Sequence, residues 1–99
     1  MQMQTQNQNE TAKQPEPPKT REEVLKMSLE AREQEVMMYQ INIDNYSMAL
    51  DHIGLLSRQD REDLKEFANQ LSGLLVSEQI EQKKSKIMLG VIKQQLAGG

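Results

Sequence analysis

Residues 20–54 read TREEVLKMSLEAREQEVMMYQINIDNYSMALDHIG, and the spacing of their apolar side chains decides the fold. Leu25, Leu29, Val36, Tyr39, Ile43, Tyr46, Leu50 and Ile53 follow alternating steps of four and three. Arg32 occupies the single position that the pattern leaves empty. A four-and-three alternation keeps one face of a 3.6-residue helix toward a neighbour, so this is a heptad seam. The start is marked as well. Thr20 followed three residues later by Glu23 is a capping box, in which each side chain satisfies the other residue's amide. Glu22 and Glu23 also suit the positive end of the helix dipole. The stretch is therefore expected to form helix A over 21–53.

Helix A carries a second apolar stripe. Met27, Ala31, Met38, Ile41 and Met48 lie opposite the seam, with Met37 beside them. A helix with one buried side should be polar there. Two apolar faces imply two neighbours.

Downstream, Gly54 is expected to end helix A in a left-handed cap, with Leu55 folding back on the last turn. Ser57 is expected to open the next helix. The connection is then a turn over 54–57, followed by helix B over 58–97. A turn that short sets the helices antiparallel and adjacent. Leu64, Phe67, Leu71, Leu74 and Leu75 mark the inward face of helix B's first half. Residues 77–86 hold one apolar residue, Ile80, before the broad apolar stretch of Ile87, Met88, Leu89, Val91, Ile92 and Leu96. Gly73 and Gly90 disfavour a helix interior by about 1 kcal/mol each, so either is a candidate kink or close approach.

The expected fold is all-α: an antiparallel, coiled-coil-like two-helix hairpin over 20–97. Its core holds Leu25, Leu29, Val36, Tyr39, Ile43, Tyr46, Leu50, Leu64, Phe67, Leu71 and Leu75. A turn centred near residue 55 would set Val36 against Leu75 and Tyr39 against Leu71. It would also place Arg32 beside Glu78 and Gln79 as a polar layer, and bring Lys83, Lys84 and Lys86 alongside the acidic start of helix A. Val91, Ile92 and Leu96 would then project past the end of helix A with no internal partner. An uncovered apolar end is a contact for something else.

Residues 1–19 are a Gln-, Asn- and Pro-rich arm holding all three prolines. They offer little apolar surface to offset the entropy of ordering, so disorder is expected. The remaining chain is short enough that self-association or a partner would relieve its limited burial. Only 36% of the 99 residues are hydrophobic and 3% aromatic, below the usual ~45–50% apolar share.

Composition narrows the chemistry. There is no cysteine, which removes disulfides, thiolate nucleophiles and Cys-ligated metals. Its absence suits a reducing, cytoplasmic setting. No apolar run approaches the ~18–20 residues of a membrane span. His52 is the sole histidine, placed where a cation favours a helix C-terminus. Asp60, Glu62, Asp63 and Glu66 are interleaved with Arg58, Arg61 and Lys65, the pattern of a solvated helix face. No nucleophile, base and stabiliser set is assembled, so neither catalysis nor a cofactor or metal is expected. The Lys83, Lys84, Lys86 and Lys93 cluster stands in a chain of pI ≈ 5.2, unlike the basic balance of nucleic-acid binders.

The expected function is protein binding through Met27, Met37, Met38, Ile41, Met48, Val91, Ile92 and Leu96. That describes an assembly or secretion chaperone, an adaptor, or a phage or bacterial modulator of a host protein. The hairpin is expected to self-associate, by dimerising into a four-helix bundle. The alternatives are a structural oligomer, such as a scaffold or virion component, and a nucleic-acid-associated regulator.

Overall fold

Thr20 caps the first helix as a two-way exchange. Its hydroxyl accepts from the Glu23 amide at 3.1 Å, and Glu23 Oε1 accepts from the Thr20 amide at 2.9 Å. In the computed structural model, which describes residues 19–98, α1 runs Arg21–Gly54, α2 runs Arg58–Asp63 and α3 runs Lys65–Gly98. Among the described residues no strand occurs. The arm expected to be disordered falls, apart from Lys19, outside them.

Gly54 does not act as a left-handed cap. It stays in the helix, and Leu55 continues in right-handed geometry at φ −91° and ψ −1°, donating its N–H to the His52 carbonyl at 3.1 Å while Leu56 donates to that of Ile53 at 3.1 Å. Leu55 is consequently exposed instead of folding back on α1. Ser57 opens α2 as its spacing suggests, accepting from the Asp60 amide at 3.2 Å.

Helix B is interrupted, though at neither glycine. Leu64 departs from helical geometry, with φ −101° and ψ 14°. The amide-to-carbonyl ladder nevertheless passes through it: Leu64 donates to Asp60 and Ala68 donates to Leu64. From Lys65 the helix then continues for 34 residues through both Gly73 and Gly90. No atom lies within 4 Å of where a Cβ on either glycine would sit, so neither marks a close approach within the hairpin.

The two 34-residue helices, each about 51 Å long at 1.5 Å per residue, pack against one another. Their hydrogen bonds fix the register. Asn42 Nδ2 donates to Glu78 Oε1 at 2.9 Å, and Ser85 Oγ donates to Glu35 Oε1 at 2.9 Å. Gln82 Nε2 donates to Gln40 Oε1 at 3.0 Å and to the Val36 carbonyl at 3.3 Å. Nearer the open end, Arg21 donates to Gln95. A turn centred on residue 55 would set Asn42 against residue 69 and Glu35 against residue 76. The true pairing lies nine residues further along α3. The reason is the connection, which spans residues 55–64 and includes α2, so the fold's midpoint falls near residue 59 or 60.

Several sequence expectations change with that shift. Leu64 and Phe67, expected in the core, are exposed in and beside the connection. Arg32 does not meet Glu78; its Nη1 pairs with Glu35 within α1 at 2.7 Å, while Glu78 pairs with Asn42. Lys84 binds Glu81 of its own helix at 3.0 Å instead of the acidic start of α1. Ile92, expected to project, is only 9% exposed and shares a groove with Leu25 and Ser28. Leu96 is half-buried. The remaining expected core residues do turn inward: Ile43 and Leu71 are buried, and Leu25, Leu29, Val36, Tyr39, Tyr46, Leu50 and Leu75 are half-buried.

The inward seam of α3 is itself a heptad, Leu71, Leu75, Glu78, Gln82, Ser85, Leu89, Ile92 and Leu96, and every member is buried or half-buried. Its centre is polar. Gln82 is 7% exposed and Ser85 3%. Leaving such groups unpaired would cost about 1–3 kcal/mol each. Among the described residues no buried side-chain nitrogen or oxygen lacks a partner. The hairpin is thus apolar at both ends and hydrogen-bonded across its middle.

Candidate protein-interaction faces

A two-helix hairpin has one seam, and everything on the far side of either helix faces outward. The far side of α1 holds Val24, Met27, Ala31, Gln34, Met38, Ile41, Asn45 and Met48, again in steps of three and four, all exposed. Met37 flanks them and is exposed too. At about 100° per residue this stripe centres roughly opposite the inward seam. Its apolar side chains are 47–59% exposed, and they extend over about 36 Å of helix.

A shallow hollow breaks the stripe where Ala31 presents only a methyl group. It is bounded by Met27, Glu30, Glu33 and Gln34. Met27, Glu30, Ala31 and Gln34 stand in the i, i+3, i+4, i+7 relation of a coiled-coil hole.

The outer side of α3 is the counterpart that sequence reasoning missed. Val76, Ile80, Ile87 and Val91 recur in steps of four, seven and four, and all are exposed, with Ile87 highest at 67%. Gly73, Lys84 and Gln94 continue the same line. The spacing is visible in the sequence. It was obscured because residues 77–86 read as a single polar gap, although Glu78, Gln82 and Ser85 face inward and Ile80 outward.

Of the residues expected to bind a partner, Met27, Met37, Met38, Ile41, Met48 and Val91 are exposed, Leu96 is half-exposed and Ile92 belongs to the core. The structure therefore brings together the methionine stripe on one edge, and Val91 with Ile80 and Ile87 on the other.

Charge differs between the edges. Glu30 and Asp44 border the outer stripe of α1 and Glu33 lines its hollow, whereas Lys83 borders the stripe of α3 and Lys84 lies within it. Inside the hairpin, Tyr39 has its phenol pKa raised, first by partial burial and then by Glu35, Glu81 and Glu78, with Arg32 opposing. The polar centre is thus an acidic one.

His52 and the Asp60, Glu62, Asp63 and Glu66 carboxylates sit on exposed surface at and beside the connection. Gln59 donates to Asp63 there at 2.9 Å. Among the described residues no cluster of three metal-ligating side chains occurs, and no helix is long and apolar enough to cross a membrane. No protein-family model matches the chain, and no significant match was found among curated proteins or solved structures.

Proposed function

We propose that this chain is a non-enzymatic protein-binding module. It works in the manner of an assembly or secretion chaperone, an adaptor or a modulator of another protein, and it docks through helix faces that its own hairpin leaves uncovered. The observation that carries the reading is the outward stripe of α1. Five large apolar side chains, Val24, Met27, Met38, Ile41 and Met48, stand exposed at heptad spacing on a helix already packed along its other side. Single exposed apolar residues are ordinary, but an aligned row marks an interaction surface. Methionine suits such a surface because its unbranched, polarisable side chain adapts to the shape it meets. Self-association of the hairpin belongs to the same reading, since a thin single seam gains from any second layer.

The test compares the intact protein with a Met38→Asp variant, using affinity capture from its native cell and circular dichroism of the purified chain. Loss of captured proteins with helix content unchanged is the expected result. Undiminished capture would refute docking through α1, as would loss of the helix itself.

A further inference from the structure

We propose that the occupant of the outward α1 face is a second copy of this chain, presenting the outward face of its α3, antiparallel and at the hairpin's own register. This rests on the protein-binding reading above and names its partner.

The register is not a free choice. If a copy is placed beside another by a sideways shift in the hairpin plane, its α3 lies next to the neighbour's α1 as it lies next to its own. The axial levels are therefore those set by the Val36–Gln82 and Glu35–Ser85 bonds. At those levels the two outward faces match in kind. Met27 meets Val91, and Met38 meets Ile80. The polar Gln34 meets Lys84, the one charged residue in the α3 stripe. The Ala31 hollow, bounded by Met27, Glu30 and Gln34, falls opposite Ile87, the most exposed large apolar side chain of α3. This is a knob placed at a hole. Asn45 falls opposite Gly73, which has open space where a side chain would be.

Charge favours the same arrangement. Glu33, which lines the Ala31 hollow, and Lys83, about 55° from the centre of the α3 stripe at about 100° per residue, stand on the same side of the hairpin plane. Side-by-side packing brings them together. Packing α1 against α1 instead would bring two acid-bordered faces together, and like charges in close array oppose association.

The faces also dictate the form of the assembly. A closed four-helix bundle needs the two apolar faces of each helix about 90° apart. Here inward and outward stripes lie roughly 180° apart on both helices. Each added copy leaves one α1 face and one α3 face open, so the contact is head-to-tail and growth continues past the dimer.

Because the chain has no cysteine, engineered ones report position without background. Chains carrying Ala31→Cys, mixed with chains carrying Ile87→Cys and gently oxidised, are expected to give a mixed disulfide dimer in preference to either homodimer. Disulfide formation requires Cα atoms about 4.4–6.8 Å apart, so a Met48→Cys with Ile87→Cys pair, several turns out of register, should not link. Sedimentation supplies the second arm. Glu33→Lys is expected to weaken self-association several-fold, and adding Lys83→Glu to the same chain to restore it.

Equal linking of the out-of-register pair would overturn the proposal, as would sedimentation as a monomer at every concentration. Either failure leaves the protein-binding reading to stand or fall on the Met38→Asp capture, where loss of a different protein would mean that the face serves another partner.

Discussion

The nine-residue shift in register makes its sharpest prediction at two adjacent residues. Ile92 is 9% exposed and packed into the groove with Leu25, whereas Val91 is 41% exposed on the outer side of the same helix. Ile92→Ala removes three carbons. At about 0.8 kcal/mol per buried methylene this loses ~2.4 kcal/mol of transfer free energy. The groove is open to solvent and can partly collapse, which keeps the cavity contribution small and the total near the low end of the ~2–5 kcal/mol range. Alanine's better helix propensity returns a few tenths, leaving about 2 kcal/mol. For a domain this size that is roughly 8–16 °C in melting temperature. Val91→Ala removes two half-hydrated carbons and gains similar propensity, so about 0.5 kcal/mol or less is expected.

The assay is urea and thermal unfolding followed by circular dichroism, with both variants beside the wild type at low micromolar concentration and at ten times that. A midpoint that holds still with concentration reports the single hairpin. If Ile92→Ala unfolded within ~0.5 kcal/mol of wild type, or if Val91→Ala lost as much, the register described above would be wrong. The turn centred on residue 55, which leaves Ile92 projecting, would then be the better account.

Two further predictions follow from the same geometry. Gly90→Ala should raise stability by about 0.5–1 kcal/mol, because the residue lies mid-helix with nothing within 4 Å of the new Cβ; a lowered unfolding midpoint would show that the space is occupied. In a Tyr46→Phe chain, where Tyr39 is the only tyrosine, phenolate absorbance should titrate above the ordinary tyrosine value of 10.0, since burial and the three glutamates disfavour the anion. The sign for stability follows. A folded-state pKa above the unfolded one contributes stabilisation that is fully present below about pH 10 and is lost as pH rises through the folded value. A midpoint at or below that of the urea-unfolded chain would contradict the acidic, half-buried setting of the ring.

Much of this architecture is legible in the residues alone. The heptad of α1, its capping box, its second stripe and the Ser57 cap are local patterns, and local patterns survive whatever the rest of the chain does. The inward turn of Ile43, Val36 and Leu71 follows from periodicity in the same way. The pairing of the helices does not, because it depends on how many residues the connection consumes. Leu64, a strong helix former, sits in non-helical geometry, and nothing in its identity signals that. Gly54 and Gly73 looked like better candidates for an interruption, and both stay helical.

The outward faces show the same division. Helix periodicity alone placed the methionine stripe away from the seam. The α3 face needed the register, since Ile80 reads as an isolated apolar residue until Glu78, Gln82 and Ser85 are seen to bond across to Asn42, Gln40 and Glu35. A polar residue enters a seam only when a partner is present at the same level, and which residue stands at that level is a property of two chain segments together. The sequence by itself therefore determined that there are two long helices and that α1 is apolar on opposite sides. Tertiary structure decided which turns of those helices meet, and through that which apolar residues are hidden and which remain outside. The physical reason is that periodicity is written into each helix by its 3.6-residue turn, whereas register is set by the ten residues that join them.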